Sequence, residues 1–172
     1  KRKGTGISPP ISAGTEFIYH APGGSVRHPV SNEVMQPTPL AGAPLPTPAG
    51  IDPRETLADW LFAPENPFFA RAMANRVWGQ FFGRGIVHPV DDFRTTNPPT
   101  NPELLDALAA DFATNGFDLK SLMRRIMNSR LYQISSIPNK TNAQDKGSFS
   151  RFYRRRLSAE NLHDILVQVC GV

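Results

Sequence analysis

Cysteine is almost absent from this chain of 172 residues, which contains only Cys170. A single cysteine excludes an intrachain disulfide, a cysteine-based metal site and the attachment motif of a c-type haem. The histidines lie far apart and show no spacing typical of metal ligands. They are His20, His28, His88 and His163. We therefore expect no metal site and no cofactor in this part of the protein.

Long apolar runs are also absent, since no stretch approaches the roughly 18 to 20 residues that cross a bilayer. The first residues, "KRKGTGISPP", lack the apolar segment of a signal peptide. No membrane insertion is therefore expected. Both ends look cut, so we interpret the chain as a piece of a longer protein. Its length suits one domain with a hydrophobic core.

Acidic residues are scarce between residues 120 and 156, where ten lysines and arginines accompany the single acid Asp145. Such a region could bind phosphate, sulfate or an acidic partner. It could equally be a solvated surface whose arginines pair with acids elsewhere. Four interleaved aromatic residues raise the hypothesis of nucleic-acid binding, although no recognised motif supports it. They are Tyr132, Phe149, Phe152 and Tyr153.

Proline is abundant at the start of the chain, because residues 1–50 hold more than half of the 17 prolines. Residues 16–21 and 25–30 could be short strands, and a second tight turn is predicted at Ser31 and Asn32. Residues 37–50 cannot join the interior of a sheet, since proline has no N–H to donate. We expect an extended strap or linker over residues 1–50, with room for a short hairpin.

Capped helices are predicted from residue 52 onward. An Asn or Asp at the N-cap, often followed by proline, marks each of the first four starts. These starts are Asp52–Pro53, Asn66–Pro67, Asn101–Pro102 and Asp118. A fifth helix begins at Ser158, after a polar loop at 135–150 that we expect to be mobile. The predicted fold is mainly α, with about five helices in an orthogonal or bundle-like packing over residues 51–172.

The second helix, residues 67–82, carries apolar side chains on nearly all sides and is therefore predicted to be central and buried. A buried Arg76 would need a partner, because an unpaired buried charge costs several kcal/mol. We predict an ion pair with Asp91 or Asp92. Gly83 and Gly85 would reverse the chain after this helix, and Gly83 is expected to have a positive φ. The residues predicted to be structural are Asn66, Asn75, Trp78, Gly83, Gly85, Asn101 and Asp118.

The loop after this helix is the strongest candidate for a site. The candidate ligand-binding set consists of Arg76 on the helix and the charged loop residues Arg84, Asp91, Asp92 and Arg94. No catalytic residue is assigned, because neighbouring carboxylates on an extended segment point to opposite sides. His88 and Asp91 could form a base and its orienting acid, but no motif places a nucleophile beside them. The favoured interpretation is that both aspartates anchor arginines and backbone amides.

Several motifs follow one another at close spacing: N-P-x-F-A-R, N-R-x-W, F-G-R-G, D-D-F, N-P-P and P-E-L-L-D. Over about residues 50–170 the chain resembles the planctomycete PSD domain family, a domain of unknown function. It departs at Thr100–Asn101, where the family pattern has Ser-His. The resemblance implies the C-terminal part of large exported proteins with an upstream c-type cytochrome domain, and hence a periplasmic or envelope location.

The sequence leaves three functions open. The first is a non-catalytic structural or interaction domain, truncated at its C-terminus, which packs against sister domains or binds an anionic polysaccharide or another partner. The second is an enzyme domain acting on sulfated or acidic glycans through the loop after the second helix. The third is nucleic-acid binding through residues 120–156. The first is favoured, because neither a catalytic motif nor a nucleic-acid motif is present.

Overall fold

The computed structural model describes residues 24–48 and 50–171. Among them the chain forms five α-helices and a short antiparallel hairpin, which confirms the predicted mainly α fold. The strands are β1 (Val26–Arg27) and β2 (Val34–Met35). The helices are α1 (Pro53–Phe62), α2 (Phe69–Phe82), α3 (Pro102–Thr114), α4 (Leu119–Asn128) and α5 (Ala159–Cys170), with a 3₁₀ turn at Arg130–Gln133. Contacts divide the chain into two compact units, Lys1–Asp59 and Trp60–Val172.

The hairpin of the first unit pairs Val26 with Met35 and Arg27 with Val34. Its turn is closed by the His28 amide, which donates to the Glu33 carbonyl over 2.9 Å. Asn32 takes a positive φ of 59° there, a conformation that asparagine tolerates better than most residues. The turn predicted at Ser31 and Asn32 is confirmed. The other predicted strand, at 16–21, lies outside the described residues.

Residues 37–48 form neither helix nor strand, as their prolines predict. This segment and the start of α1 line a cavity of about 330 Å³. Its walls are largely apolar and come from residues such as Pro37, Pro39, Leu45 and Leu57.

The start of α1 follows the prediction, whereas that of α2 differs from it. The helix α1 begins at Pro53 as predicted, and the Asp52 carboxylate accepts the Arg54 amide over 2.9 Å. The helix α2 begins at Phe69, two residues after the predicted start. Asn66 Oδ1 accepts the amides of Phe68 and Phe69 at 2.9 and 3.0 Å, so it still satisfies amides at this end. The side chain bonds across a short turn that precedes the helix.

The starts of α3 and α4 follow the prediction. Asn101 Oδ1 accepts the Leu104 amide over 3.0 Å, and Asp118 Oδ1 accepts the Lys120 amide over 2.8 Å. The chain passes from α3 to α4 through Gly116, whose φ is 64°. Helix ends commonly need this left-handed conformation, and glycine adopts it without strain. The short link keeps α3 and α4 in contact.

The core of the second unit lies where α2 packs against α3 and α4. Leu105, Leu122 and Ile126 are at most 1 % exposed in this layer. Trp78 and Phe82 stack at 4.1 Å between ring centres, with an angle of 21° between their planes. Helix α2 is central as predicted, but one of its sides, which includes Arg76, is exposed.

The loop at 135–150, predicted to be polar and mobile, forms no helix or strand but contacts the core through one side chain. Phe149 is only 3 % exposed, and its ring meets that of Trp78 edge-on at 5.4 Å. Asn139 Oδ1 accepts the amides of Thr141 and Asn142, each over 2.9 Å. One aromatic side chain thus ties this polar loop to the core, and side-chain oxygens replace the hydrogen bonds of regular structure.

Candidate functional site around the loop after α2

Asn75 holds the candidate loop from inside the protein. Its side chain is fully buried at 0 % exposure. Asn75 Nδ2 donates to the carbonyl oxygens of Val87 and Val90 at 3.0 and 2.8 Å, and Oδ1 accepts the Val87 amide over 2.9 Å. These bonds satisfy buried backbone groups that water cannot reach. Asn75 therefore acts as a clamp between α2 and the loop.

Gly85 allows the loop to approach this clamp. A β-carbon at Gly85 would lie 2.2 Å from the Val87 carbonyl oxygen and 2.9 Å from both polar side-chain atoms of Asn75. Both distances are shorter than van der Waals contact, so a side chain cannot fit without a shift of the backbone. The requirement for glycine comes here from close approach, whereas at Gly83 it comes from a positive φ of 73°.

The far end of the loop is anchored in the same way. Thr100 donates to the Ile86 carbonyl through its amide at 2.9 Å and through its hydroxyl at 3.1 Å. Asn97 Nδ2 donates to the Asp92 carbonyl over 2.9 Å. The loop is thus fixed at both ends by polar side chains, which indicates a structural element with a defined shape.

The predicted pair of Arg76 with one of the two aspartates is confirmed. Arg76 Nη2 donates to Asp91 Oδ1 over 2.7 Å. The prediction that Arg76 is buried was wrong, since its side chain is 56 % exposed and that of Asp91 is 69 % exposed. Such a pair contributes only about 0–1 kcal/mol because water screens it. The buried role that we expected for Arg76 belongs to its neighbour Asn75.

The second aspartate is paired as well. Arg94 Nη2 lies 2.9 Å from Asp92 Oδ2, and the Asp92 side chain is 28 % exposed. The structure therefore divides four of the five candidate ligand-binding residues into two ion pairs on the loop. Both carboxylates already have a cationic partner, and His88 is exposed at the surface.

Arg84, the fifth candidate, belongs to neither pair and lies close to Gly147 of the loop at 139–150. A β-carbon built on Gly147 would lie 3.9 Å from Arg84 Nε and 3.6 Å from Thr100 Cγ2. Arg84 is half-buried, and its Nε is buried without a hydrogen-bond acceptor among the described residues. The sequence grouped Arg84 with Arg76, Asp91, Asp92 and Arg94, whereas the structure includes it in neither ion pair.

Asp145 organises the loop that contains Gly147. Its Oδ1 accepts the amides of Gly147 and Ser148 at 3.0 and 2.8 Å, and its Oδ2 accepts the Ser150 amide over 2.9 Å. The Ser150 hydroxyl also donates to Oδ2, and these hydrogen bonds hold the pKa of Asp145 well below its usual range. Sequence reasoning missed this loop. The available signal was an aspartate followed closely by glycine and serine, a pattern typical of side-chain-capped turns.

The aromatic residues of the basic region pack into the protein. Phe149 is buried, and the other three pack against the same core: Tyr132, Phe152 and Tyr153. Burial raises the pKa of Tyr153, whose hydroxyl accepts the Phe149 amide over 3.0 Å. These rings therefore stabilise the fold by packing against neighbouring side chains.

Two acids of α3 pair with arginines of the adjacent helices. Arg125 Nε lies 2.7 Å from Asp111 Oδ2, and Arg71 Nε lies 2.9 Å from Asp106 Oδ1. Both contacts are ion pairs by distance, although neither has the alignment of a hydrogen bond. Arg125 is consequently engaged within the domain and is less available to an external polyanion.

Helix α5 exposes an apolar stripe along its whole length. Its start is capped by Ser158, whose hydroxyl oxygen accepts the Asn161 amide over 3.2 Å. None of its residues is buried. The stripe consists of Leu162, Ile165, Leu166 and Val169, at positions i, i+3, i+4 and i+7, with exposures of 47, 44, 52 and 78 %. This spacing is typical of a helix that packs against another element.

In residues 24–48 and 50–171, no group of three His, Cys, Asp or Glu side chains could hold a metal ion. No helix in this part of the chain has the length and apolarity needed to span a bilayer.

The family model of PSD1, described as "Protein of unknown function (DUF1553)", matches residues 53–172. This match covers well over half of the chain, so the chain belongs to that family. The resemblance expected from the motifs of about residues 50–170 is thereby confirmed. No curated protein and no solved structure matches the chain.

Proposed function

We propose that this member of the PSD1 family is a non-catalytic interaction domain, which docks through α5 onto another domain of the same exported protein. The observation that carries the proposal is the stripe of Leu162, Ile165, Leu166 and Val169, which is apolar, continuous and exposed. Contiguous apolar surface of this kind marks sites of protein interaction.

The energetics of α5 support a docked state. A helix of 12 residues is marginal in water when nothing packs against it. Full burial of one leucine or isoleucine side chain is worth about 1.5–3 kcal/mol relative to exposure. Covering the stripe would therefore stabilise both the helix and the complex, even after the entropy cost of association.

The catalytic alternative loses its main support. An enzyme acting on acidic glycans through this loop would need a carboxylate free to exchange protons with the substrate. Asp91 and Asp92 each hold an arginine, at 2.7 and 2.9 Å. Their positions fit anchoring of the loop better than acid–base chemistry.

The family resemblance supports the remaining parts of the proposal. It favours a periplasmic or envelope location, and sister domains that include a c-type cytochrome. In that arrangement the haem belongs to another domain, and the present domain supplies a docking surface. The resemblance thus suggests an occupant for α5, namely a sister domain of the same chain.

The test is a binding assay between this chain and the remaining domains of the full-length protein. The variant Leu162→Glu/Leu166→Glu places two charges on the stripe and should abolish binding. The matched control, His163→Glu/Gln168→Glu, places two charges on α5 outside the stripe and should retain it. Equal binding by both variants, or no binding by the unaltered chain, would contradict the proposal.

A further inference from the structure

The chain that leads into α5 carries three consecutive exposed arginines at residues 154–156, which we call the basic segment. It belongs to neither a helix nor a strand, and it continues through Leu157 to Ser158, the N-cap of α5. Because each residue advances the chain by at most about 3.6 Å, all three arginines lie within about 15 Å of the start of this helix. Leu157 is exposed as well, so the exposed apolar surface begins directly beside the basic segment.

Contacts with the core hold the basic segment in place. The Phe152 amide donates to the Ser135 carbonyl over 3.0 Å, just before the segment begins. Within it, the Arg155 guanidinium donates to the Gln80 carbonyl near the end of α2. Carbonyl groups at this end of a helix carry partial negative charge and favour a cation. The middle arginine is therefore engaged within the domain and anchors the chain on which its neighbours lie.

Arg154 and Arg156 differ from Arg155 in having no partner. Both are exposed, and neither forms a hydrogen bond or an ion pair with another residue in 24–48 or 50–171. One solvated arginine on a surface is ordinary. Here, however, two of them flank an anchored residue and directly precede a helix whose apolar stripe is uncovered. They form a positive surface that is already positioned beside the stripe, which favours an encounter with negative charge.

The acids of α5 lie on the face opposite the stripe. Glu160 and Asp164 are two residues before and two residues after Leu162, which corresponds to about 200° around a helix of 3.6 residues per turn. Hydrogen bonds from its own amide and from the Ser158 hydroxyl lower the pKa of Glu160, so this carboxylate interacts with the start of its own helix. Helix α5 therefore contributes no acid to the side that carries the stripe.

We propose that the surface of the sister domain that receives α5 is an apolar groove bordered by carboxylates, which Arg154 and Arg156 bind. The chemistry of this partner is inferred on the premise that α5 docks as proposed above. Apolar contact with the stripe supplies most of the affinity, whereas opposite charges beside it guide the orientation and the rate of association. Arginine suits this position, because its planar guanidinium can bind a carboxylate through two parallel hydrogen bonds.

A membrane surface is a less suitable partner, because the polar face of α5 has the wrong charge. Helices that lie on anionic membranes carry lysine and arginine on their polar face. Helix α5 contains neither of these residues, and its polar face presents Glu160 and Asp164. These acids would face the anionic lipid headgroups beside the helix, whereas a protein groove that covers only the stripe leaves them in water.

The first test measures the rate and affinity with which the chain binds the remaining domains of the full-length protein at about 0.05 M salt, where screening is weak. Arg154→Glu/Arg156→Glu should lower both by about tenfold or more. The matched control, Lys120→Glu/Arg124→Glu, makes the same change of charge at exposed positions of α4. It should lower them less than about threefold. Equal losses from the two variants would overturn the proposal, because net charge alone would then explain them.

Salt provides the second measurement. Raising the salt to about 0.5 M should weaken binding by the unaltered chain and should change binding by Arg154→Glu/Arg156→Glu much less, since the attraction is already lost in that variant. If that variant is unstable, Arg154→Gln/Arg156→Gln removes the charge without adding acids, and it should show the same reduced dependence on salt. An affinity of the unaltered chain that does not change with salt contradicts a partner bordered by carboxylates.

Two outcomes distinguish the carboxylate partner from docking itself. Loss of binding by Leu162→Glu/Leu166→Glu, together with control-level binding by Arg154→Glu/Arg156→Glu, would leave docking through α5 intact and overturn only the inferred chemistry. No binding by the unaltered chain would overturn both. Vesicles of phosphatidylglycerol and phosphatidylcholine should not bind the chain at about 0.15 M salt. Vesicle binding that is lost in both of these variants would overturn the protein partner in favour of a membrane.

Discussion

Asn75 shows how much one buried polar residue determines in this protein. Its amide group bonds to three backbone atoms of the loop, two from Val87 and one from Val90, at distances of 2.8 to 3.0 Å. No apolar side chain can replace these bonds. If an apolar residue replaced Asn75, the Val87 amide and the carbonyl groups of Val87 and Val90 would be buried without these partners. Each unpaired group would cost about 1–3 kcal/mol.

Asn75→Ala should therefore lower the free energy of unfolding by about 3 kcal/mol or more. Urea denaturation measures this change as a shift of the midpoint at constant slope. Asn128→Ala, at the exposed end of α4, is the matched control and should change stability by less than about 0.5 kcal/mol. A loss below about 1 kcal/mol for Asn75→Ala would show that water or another group can replace the clamp.

At the scale of single residues, the sequence predicted local chemistry better than burial. The positive φ of Gly83 and the bond between Arg76 and Asp91 were both predicted from nearby residues. The exposure of Arg76 was not predicted, because a helical wheel gives the direction of a side chain but does not show which neighbours cover it. The burial of Phe149 was likewise missed, since it depends on a contact with Trp78 that is distant in sequence.

At the scale of elements, the loop at 139–150 gains its order from side chains that bond to the backbone. Asp145 alone accepts the amides of Gly147, Ser148 and Ser150. The composition of this segment led to the prediction of a mobile loop, because polar residues bury little apolar area. Composition alone does not register that one carboxylate can satisfy several amides at once.

Asp145→Asn should destabilise the protein by about 1 kcal/mol at neutral pH, since charge-assisted bonds become weaker neutral ones. The pKa of Asp145 is lowered in the folded state, so its contribution is complete above the ordinary value of 3.8 and is lost as the pH falls through the lower folded value. The difference in stability between the two proteins should therefore shrink progressively below about pH 4.

Denaturation at several pH values from 7 down to 3 measures this difference. Asp164→Asn, at an exposed position of α5, is the control and should stay within about 0.5 kcal/mol of the unaltered protein at neutral pH. A difference for Asp145→Asn that remains constant down to pH 3 would show that the carboxylate charge does not stabilise the loop.

The starts of the helices were the most predictable features at this scale, because an N-cap residue is recognised from the local sequence. Asn101, Asp118 and Ser158 each accept an amide at the start of the following helix. The start of α2 was placed two residues early, since Asn66 satisfies amides across a turn that precedes the helix. The sequence pattern of a capped turn and that of a capped helix are the same at this point.

At the scale of the whole molecule, the core is confined to one part of the chain. The buried hydrophobic side chains of the described residues run from Ala70 to Phe149, and none lies in residues 24–48. The family match begins at residue 53, at the start of α1. Both observations indicate that the helical part is the unit that folds cooperatively. Its mainly α fold class could be predicted from the spacing of apolar residues. The packing partners of each helix could not be predicted, because they depend on contacts across long separations.

Removal of residues 1–52 should therefore leave the helical unit folded, with an unfolding midpoint within about 3 °C of that of the whole chain. Truncation after Ile134 is the contrasting case, because it deletes Phe149 from its contact with Trp78 and Phe82. Loss of a buried phenylalanine side chain alone costs about 3–5 kcal/mol, a large part of the stability of a small domain. Calorimetry and circular dichroism distinguish the two truncations. Loss of the cooperative transition in the first one would mean that residues 1–52 support the helical unit directly.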